Sequence, residues 1–283
     1  MQTRLSSATR EIIIGDERPT VLIGERLNPT GKPRLAAALR AGDMDYVIKE
    51  AQEQLATGAD VLDVNVVTDQ VSEVALLPEV VEVLNKAVTA PLCLDSVDPA
   101  ALEAGLKVYR GKALVNSVNG EARSLERILP LVKEYHAAVI ALTMDENGIP
   151  DTAEKRVAIA CKITERAAAL GIPREDIIFD GLATMIGANS RSGALTMETV
   201  RRLRRELGAN LTLGASNFSY GLPDRPLLNG TFLAMLMACG VNCPIVDAAR
   251  VRPTVLAADL VLGRDNFSLR YISGFRQRNQ GKT

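Results

Sequence analysis

The chain has 283 residues, 47% of them hydrophobic and 24% charged, with 33 Lys and Arg against 34 Asp and Glu and a net charge of −1. That balance leaves no electrostatic footprint for nucleic acid, and no run approaches the roughly 18 apolar residues of a membrane span. The first residues lack the apolar core of a secretory signal, so a cytoplasmic protein with one large core is expected.

Short apolar runs alternate with helical stretches along the chain. The strand-like runs are Val21–Arg26, Asp60–Val66, Pro91–Asp95, Ala113–Ser117, Ala137–Thr143, Asp176–Asp180, Asn210–Ser216 and Cys243–Asp247. Most are continuous Val, Ile, Leu and Ala runs, the pattern of strands buried on both faces, which are usually parallel. Between them the pattern predicts helices at Asp43–Thr57, Ser72–Ala87, Asp98–Leu106, Ser124–Tyr135, Asp151–Leu170, Thr196–Leu207, Leu228–Cys239 and Pro253–Leu262. Several stop at a glycine suited to a helix C-terminus, among them Gly171, Gly208 and Gly240. Strand–helix alternation argues for βαβ units. Eight such units in this length predict a single-domain α/β chain, a (β/α)₈ TIM barrel. The barrel core is expected over about 20–265, and the polar end, about 274–283, is expected to fray.

Each strand-like run ends on polar residues. The first leads into Gly24-Glu25-Arg26-Leu27-Asn28; the others end at Asp63 and Asn65, Asp95-Ser96, Asn116-Ser117, Thr143 and Asp145, Asp180, Ser216-Asn217, and Asp247. In a TIM barrel these carboxyl ends ring one mouth, where active sites sit. A single Asp or Asn there serves equally well as a helix cap or turn former, but turns alone do not require so many in one register. Carboxylates accept paired hydrogen bonds and carboxamides both donate and accept, so the set complements a heterocycle of the pterin or guanine kind. No phosphate cradle of the Gly-x-x-x-x-Gly-Lys or Gly-x-Gly-x-x-Gly type is present. The lone histidine, His136, falls at a helix end, where a structural or surface role is expected. Cys93, Cys161, Cys239 and Cys243 lack a histidine at zinc-site spacing, so reduced thiols and no tightly bound metal are expected.

Six segments then resemble one family: Gly24-Glu25-Arg26-Leu27-Asn28-Pro29-Thr30-Gly31, Leu62-Asp63-Val64-Asn65-Val66, Cys93-Leu94-Asp95-Ser96, Val115-Asn116-Ser117, Gly214-Ala215-Ser216-Asn217-Phe218-Ser219 and Arg225-Pro226-Leu227-Leu228-Asn229-Gly230-Thr231-Phe232. They are similar to the pterin-binding methyltransferases that pair methyltetrahydrofolate with a corrinoid protein. The folate domain of cobalamin-dependent methionine synthase is a more distant relative. The resemblance implies a homodimeric barrel that moves a methyl group between N5 of tetrahydrofolate and cobalt. The cobalamin would be carried by a separate corrinoid protein. It implies that Asp95, Asn116 and Asp180 grip the pterin, that Ser216 belongs to the folate-binding set, that Asn217 reaches the N5 region and is catalytic, and that Arg225 lies near the folate tail or the corrinoid partner. Glu25, Asn28, Asp63, Asn65 and Asp247 complete the candidate binding set. The chain departs from the family's pattern at Gly181, commonly proline, at Tyr220, commonly glutamine, and at the loop Val67-Thr68-Asp69-Gln70. The role in one-carbon metabolism stays open between acetyl-CoA synthesis and demethylation of methoxy compounds or methylated amines. Two alternatives also stand: a dihydropteroate synthase-like enzyme, although the run ending Gly214-Ala215-Ser216-Asn217 lacks that family's lysine, and a non-catalytic folate-binding subunit.

Overall fold

The computed structural model describes residues 1–279, with Asn217 described by its backbone alone. Eight parallel strands run in the order β10, β3, β4, β5, β6, β7, β8, β9. They are β3 (Ile23–Leu27), β4 (Val61–Val64), β5 (Leu92–Asp95), β6 (Leu114–Asn119), β7 (Ala138–Leu142), β8 (Ile177–Asp180), β9 (Asn210–Thr212) and β10 (Ile245–Val246). A bridge between Gly214 and Ile245 and the bond from Ile245 N to Leu213 O join β9 to β10 and close the ring. The expected TIM barrel is therefore the observed one, and every predicted strand run overlaps an observed strand.

Packing separates two apolar layers. One face of the strands, with Leu62, Val64, Leu92, Leu94, Val115, Val139, Phe179 and Leu211, packs against the surrounding helices. The other face fills the barrel with Ile23, Val61, Cys93, Leu114, Ala138, Ile140, Ile178 and Cys243. Both follow from the two-residue alternation of strand side chains.

The helices are α1 (Pro33–Ala41), α2 (Met44–Ala56), α3 (Glu73–Ala87), α4 (Pro99–Val108), α5 (Ala122–Glu134), α6 (Ala153–Ala169), α7 (Ser192–Leu207), α8 (Arg225–Cys239), α9 (Ala248–Val261) and α10 (Leu269–Asn279). Asp43, Asp98 and Thr152 accept hydrogen bonds from first-turn amides and cap α2, α4 and α6. Gly42 and Gly208 take left-handed conformations just past α1 and α7, as helix-ending glycines do.

Helix α1 falls outside the predicted helices, and three further features differ from the expectation. The chain begins with an antiparallel hairpin, β1 (Gln2–Ser6) and β2 (Glu11–Gly15). Its Leu5 and Ile14 join the barrel-interior cluster, so the hairpin plugs the end of the barrel opposite the strand carboxyl ends. Asn210 donates to Thr3 Oγ1 at 2.8 Å and to Ile14 O at 3.2 Å, and receives a bond from Asn242 at 2.8 Å, which satisfies the buried amides beneath the plug. Second, α7, α8 and α9 begin earlier than predicted. In α9 the helix continues through Pro253, which the sequence pattern places at its start. Third, the polar end is helical: α10 runs to Asn279, while residues 280–283 lie outside those described.

The plug yields a stability prediction. Leu5 is fully buried, and Leu→Ala at such a site costs about 2–5 kcal/mol. Leu5→Ala is expected to lower the urea midpoint accordingly with an unchanged slope; a change under about 0.5 kcal/mol, the scale of surface substitutions, would show that the hairpin lies outside the cooperative core.

Candidate functional site

Strand alternation places the polar set. The interior residues Val61, Cys93, Leu114, Ile178 and Ile23 are each followed two positions later by Asp63, Asp95, Asn116, Asp180 and Glu25. Side chains two apart share a face, so these five point into the barrel one layer above its apolar filling, at the carboxyl end. The register fixes their neighbours: Asp63 lies beside Cys93, Asp95 beside Asn116, and Asp180 beside Thr212.

The polar side chains bond across the strands. Asn116 Nδ2 donates to Asp63 Oδ1 at 3.1 Å, and Asn65 Nδ2 donates to Asp95 Oδ2 at 3.0 Å. Asn65 Oδ1 also accepts from the Val67 amide, which orients the carboxamide so that its donor faces Asp95. Asp180 accepts from the Leu182 amide at 2.7 Å. Beneath that turn lies Arg156, 1% exposed, which donates to the carbonyls of Pro150, Gly181 and Leu182 and pins the loop that carries Asp180. The Asn116–Ser117 peptide is cis. A cavity of about 510 Å³ lies at the carboxyl ends of β6 and β7, lined by Ser117, Asn119, Arg123, Arg127, Leu142 and Met144 among others and by none of Asp63, Asn65, Asp95, Asn116 or Asp180.

A second polar group lies across the mouth. Ser216 Oγ donates to Glu25 Oε1 at 2.7 Å. Arg225 donates through Nη2 to Ser216 O at 2.8 Å and through Nε to Ser219 Oγ at 3.2 Å, with its guanidinium 5.7 Å from the Tyr220 ring centre. Asp247 pairs with Arg250 through Oδ2 at 3.2 Å, while its buried Oδ1 has no partner among the described residues. Asn28 caps its own turn by accepting from the Thr30 amide at 3.0 Å. Asn217 closes the short 3-10 turn Ala215–Asn217 after β9; its side chain lies outside the description.

Burial dominates the electrostatics. It raises the Asp63 carboxyl, with the nearby Asp95 charge pushing further and the Asn116 bond opposing. It raises Asp95 too, against the Asn65 bond. Asp180 is pushed up to about 7 by burial, although the Leu182 amide and Arg156 pull it down. A cluster of buried carboxyl groups held near neutrality is a common mark of a working site.

The structure thus brings Asp63, Asn65, Asp95, Asn116 and Asp180 into one ring and Glu25, Ser216, Arg225 and Asp247 into an adjoining group. Sequence reading missed Arg156, Lys32 and Thr212. Thr212 is fully buried beside Asp180, and alternation from Asn210 would have placed it. Lys32 Nζ donates to Glu25 O and Asn28 O, and nothing local in the sequence announces that reach.

Fold and site together define a TIM-barrel protein with a buried carboxylate and carboxamide mouth. The chain belongs to the pterin binding enzyme family, whose model matches residues 24–247. It is 30% identical over 268 residues to a methylcorrinoid:tetrahydrofolate methyltransferase of Eubacterium limosum, covering 92% of this chain and 98% of that protein. It is 33% identical over 262 residues to methionine synthase of Mycobacterium tuberculosis, covering 88% of this chain but only 22% of the synthase. Among solved structures, dihydropteroate synthase of Yersinia pestis superposes with a TM-score of 0.70 at 18% identity, covering 93% of this chain and 99% of that one. At that identity the likeness speaks for the fold.

The raised Asp180 carboxyl carries a sign. Its folded pKa of about 7 exceeds the unfolded value of about 3.9. Its contribution to stability is therefore complete below about pH 4 and is lost as pH rises through about 7. Asp180→Asn should lose less stability than wild type between pH 5 and pH 8, read as the shift in urea midpoint. Equal losses in both proteins would show that Asp180 is ionised throughout.

Proposed function

We propose that this protein is a methyltransferase that moves a methyl group between N5 of methyltetrahydrofolate and the cobalt of a separate corrinoid protein. The observation that carries the reading is the ring of Asp63, Asp95, Asn116 and Asp180 at the barrel mouth. The near end-to-end likeness to a methylcorrinoid:tetrahydrofolate methyltransferase supports this chemistry within the pterin family. The turn after β9, Gly214-Ala215-Ser216-Asn217, carries no lysine for pyrophosphate chemistry.

The assignment follows from donors and acceptors. The pyrimidine edge of a pterin offers a ring N–H beside an amino group, which match the two oxygens of one carboxylate. Asp95 and Asp180 supply such oxygens, and Asn116 supplies a carboxamide that can donate to a carbonyl. Asn65 and Asp63 orient this set from behind. Arg225, braced on Ser216 and Ser219, lies where the folate tail or the docking corrinoid protein meets the mouth. A homodimer would bury the exposed apolar side chains Val261, Phe267, Leu269 and Phe275 around α10.

The transfer is an in-line displacement. Co(I) attacks the methyl carbon, the carbon–N5 bond breaks, and N5 must gain a proton to leave as tetrahydrofolate. The protein contributes orientation of the two reactants and a hydrogen-bonding group where charge changes. Asn217 is assigned that group, because a carboxamide serves N5 in either protonation state. The reverse transfer, from methylcobalt to N5, uses the same arrangement.

Single-turnover transfer from methyltetrahydrofolate to free cob(I)alamin tests the reading. Wild type should form methylcobalamin, and Asn217→Ala should slow the step by about 10²–10³-fold, the scale for one preorganised donor. No methylcobalamin from wild type would reject the methyltransferase and leave a folate binder; an unimpaired Asn217→Ala would remove Asn217 from the chemistry.

A further inference from the structure

Glu25 and Ser216 come from strand ends separated by β10, yet they share a 2.7 Å hydrogen bond. The pair sits beside the residue assigned to N5, since Ser216 immediately precedes Asn217. Ser216 is also braced from the other side, because its carbonyl accepts from Arg225. The hydroxyl is thus held in place while remaining free to rotate its proton.

Several charged groups face Glu25. Lys32 approaches from the segment before α1 but spends its ammonium on two backbone carbonyls, Glu25 O and Asn28 O. Asp247 and Arg250 approach from β10 and α9, and Asp63 lies on the adjoining strand β4. Asp247 keeps a buried oxygen without a partner among the described residues. Burial and the Asp247 charge raise the proton affinity of Glu25, against the Ser216 bond, Lys32 and Arg250.

The reaction leaves one proton to be assigned. As the cobalt–carbon bond forms from the Co(I) electron pair, N5 keeps the pair of the breaking carbon–nitrogen bond and needs a proton to leave neutral. Asp95 and Asp180 are engaged at the opposite edge of the ring system. We propose, resting on the methyl-transfer reading above, that Glu25 stores this proton and delivers it to N5 through the Ser216 hydroxyl. A hydroxyl donates and accepts at once. With Glu25 protonated, its O–H turns to Ser216 Oγ, and the Ser216 O–H turns to N5. After transfer Glu25 is a carboxylate accepting from Ser216, and solvent at the mouth restores its proton. In the reverse direction Glu25 receives the N5 proton by the same two bonds. Glu25 acts through Ser216 and is therefore a positioning and proton-holding residue.

The test is single-turnover transfer from methyltetrahydrofolate to cob(I)alamin between pH 6 and 8.5, with folate affinity measured in parallel by calorimetry. Wild-type rates at saturating folate should fall as pH rises. Glu25→Gln, which keeps the shape, should slow transfer at saturating folate by about 10²-fold or more, the scale of a positioned acid, and flatten the pH profile. Folate affinity should stay within about threefold. Ser216→Ala, which breaks the relay at its other end, should flatten the profile in the same way, and Glu25→Asp should keep part of the pH dependence. The relay is overturned if Glu25→Gln retains the wild-type rate and profile, or if it loses only affinity with an unchanged rate at saturation. Those outcomes leave wild-type transfer intact, whereas failure of the methyl-transfer reading removes transfer from wild type itself.

Discussion

A carboxylate at an inward-facing position of a closed barrel has water on one side only. Below it lies a filled apolar layer, here Ile23, Val61, Cys93, Leu114 and Ile178, and around it stand the neighbouring strands. Burying a charge so is costly unless donors surround it, and the chain places several carboxyl groups in that position. Asp63 takes a donor from Asn116, Asp95 takes one from Asn65, and Asp180 takes the Leu182 amide. These bonds hold the ring in one geometry, yet burial still keeps the acids reluctant to ionise. A ligand bearing N–H donors completes what the protein leaves unfinished.

The rest of the fold serves that condition. The hairpin β1–β2 seals the end away from the mouth with Leu5 and Ile14, so the polar layer meets solvent from one direction. Arg156, buried under the loop after β8, ties three carbonyls and sets the height of Asp180. Thr143 Oγ1 donates to the Asp180 carbonyl at 2.9 Å and fixes the same strand end from β7. The site is therefore assembled by elements distant in sequence, and closure of the barrel makes them neighbours.

The strands were legible because each is a compact apolar run, and the mouth because each run stops on Asp, Asn or Glu. Which polar residues face inward was also recoverable: counting two from Val61 or Ile178 reaches Asp63 or Asp180. The hairpin was not, since Thr3 and Leu5 alternate in a five-residue strand rich in polar residues, and their burial depends on contacts with Asn210 and the barrel floor. Proline misled at α9, where Pro253 sits one turn inside the helix, and polar composition misled at α10. The Glu25–Ser216 bond joins residues 191 positions apart, a pairing that no local pattern encodes.

In the proposed site, buried acids of raised proton affinity ionise to receive a pterin. Calorimetric titration of the protein with tetrahydrofolate near pH 6.5, repeated in buffers of different ionisation enthalpy, measures this directly. The account predicts binding with net release of protons to the buffer, and weaker binding with less release in Asp180→Asn. Binding with no proton exchange and unchanged affinity in that variant would contradict it.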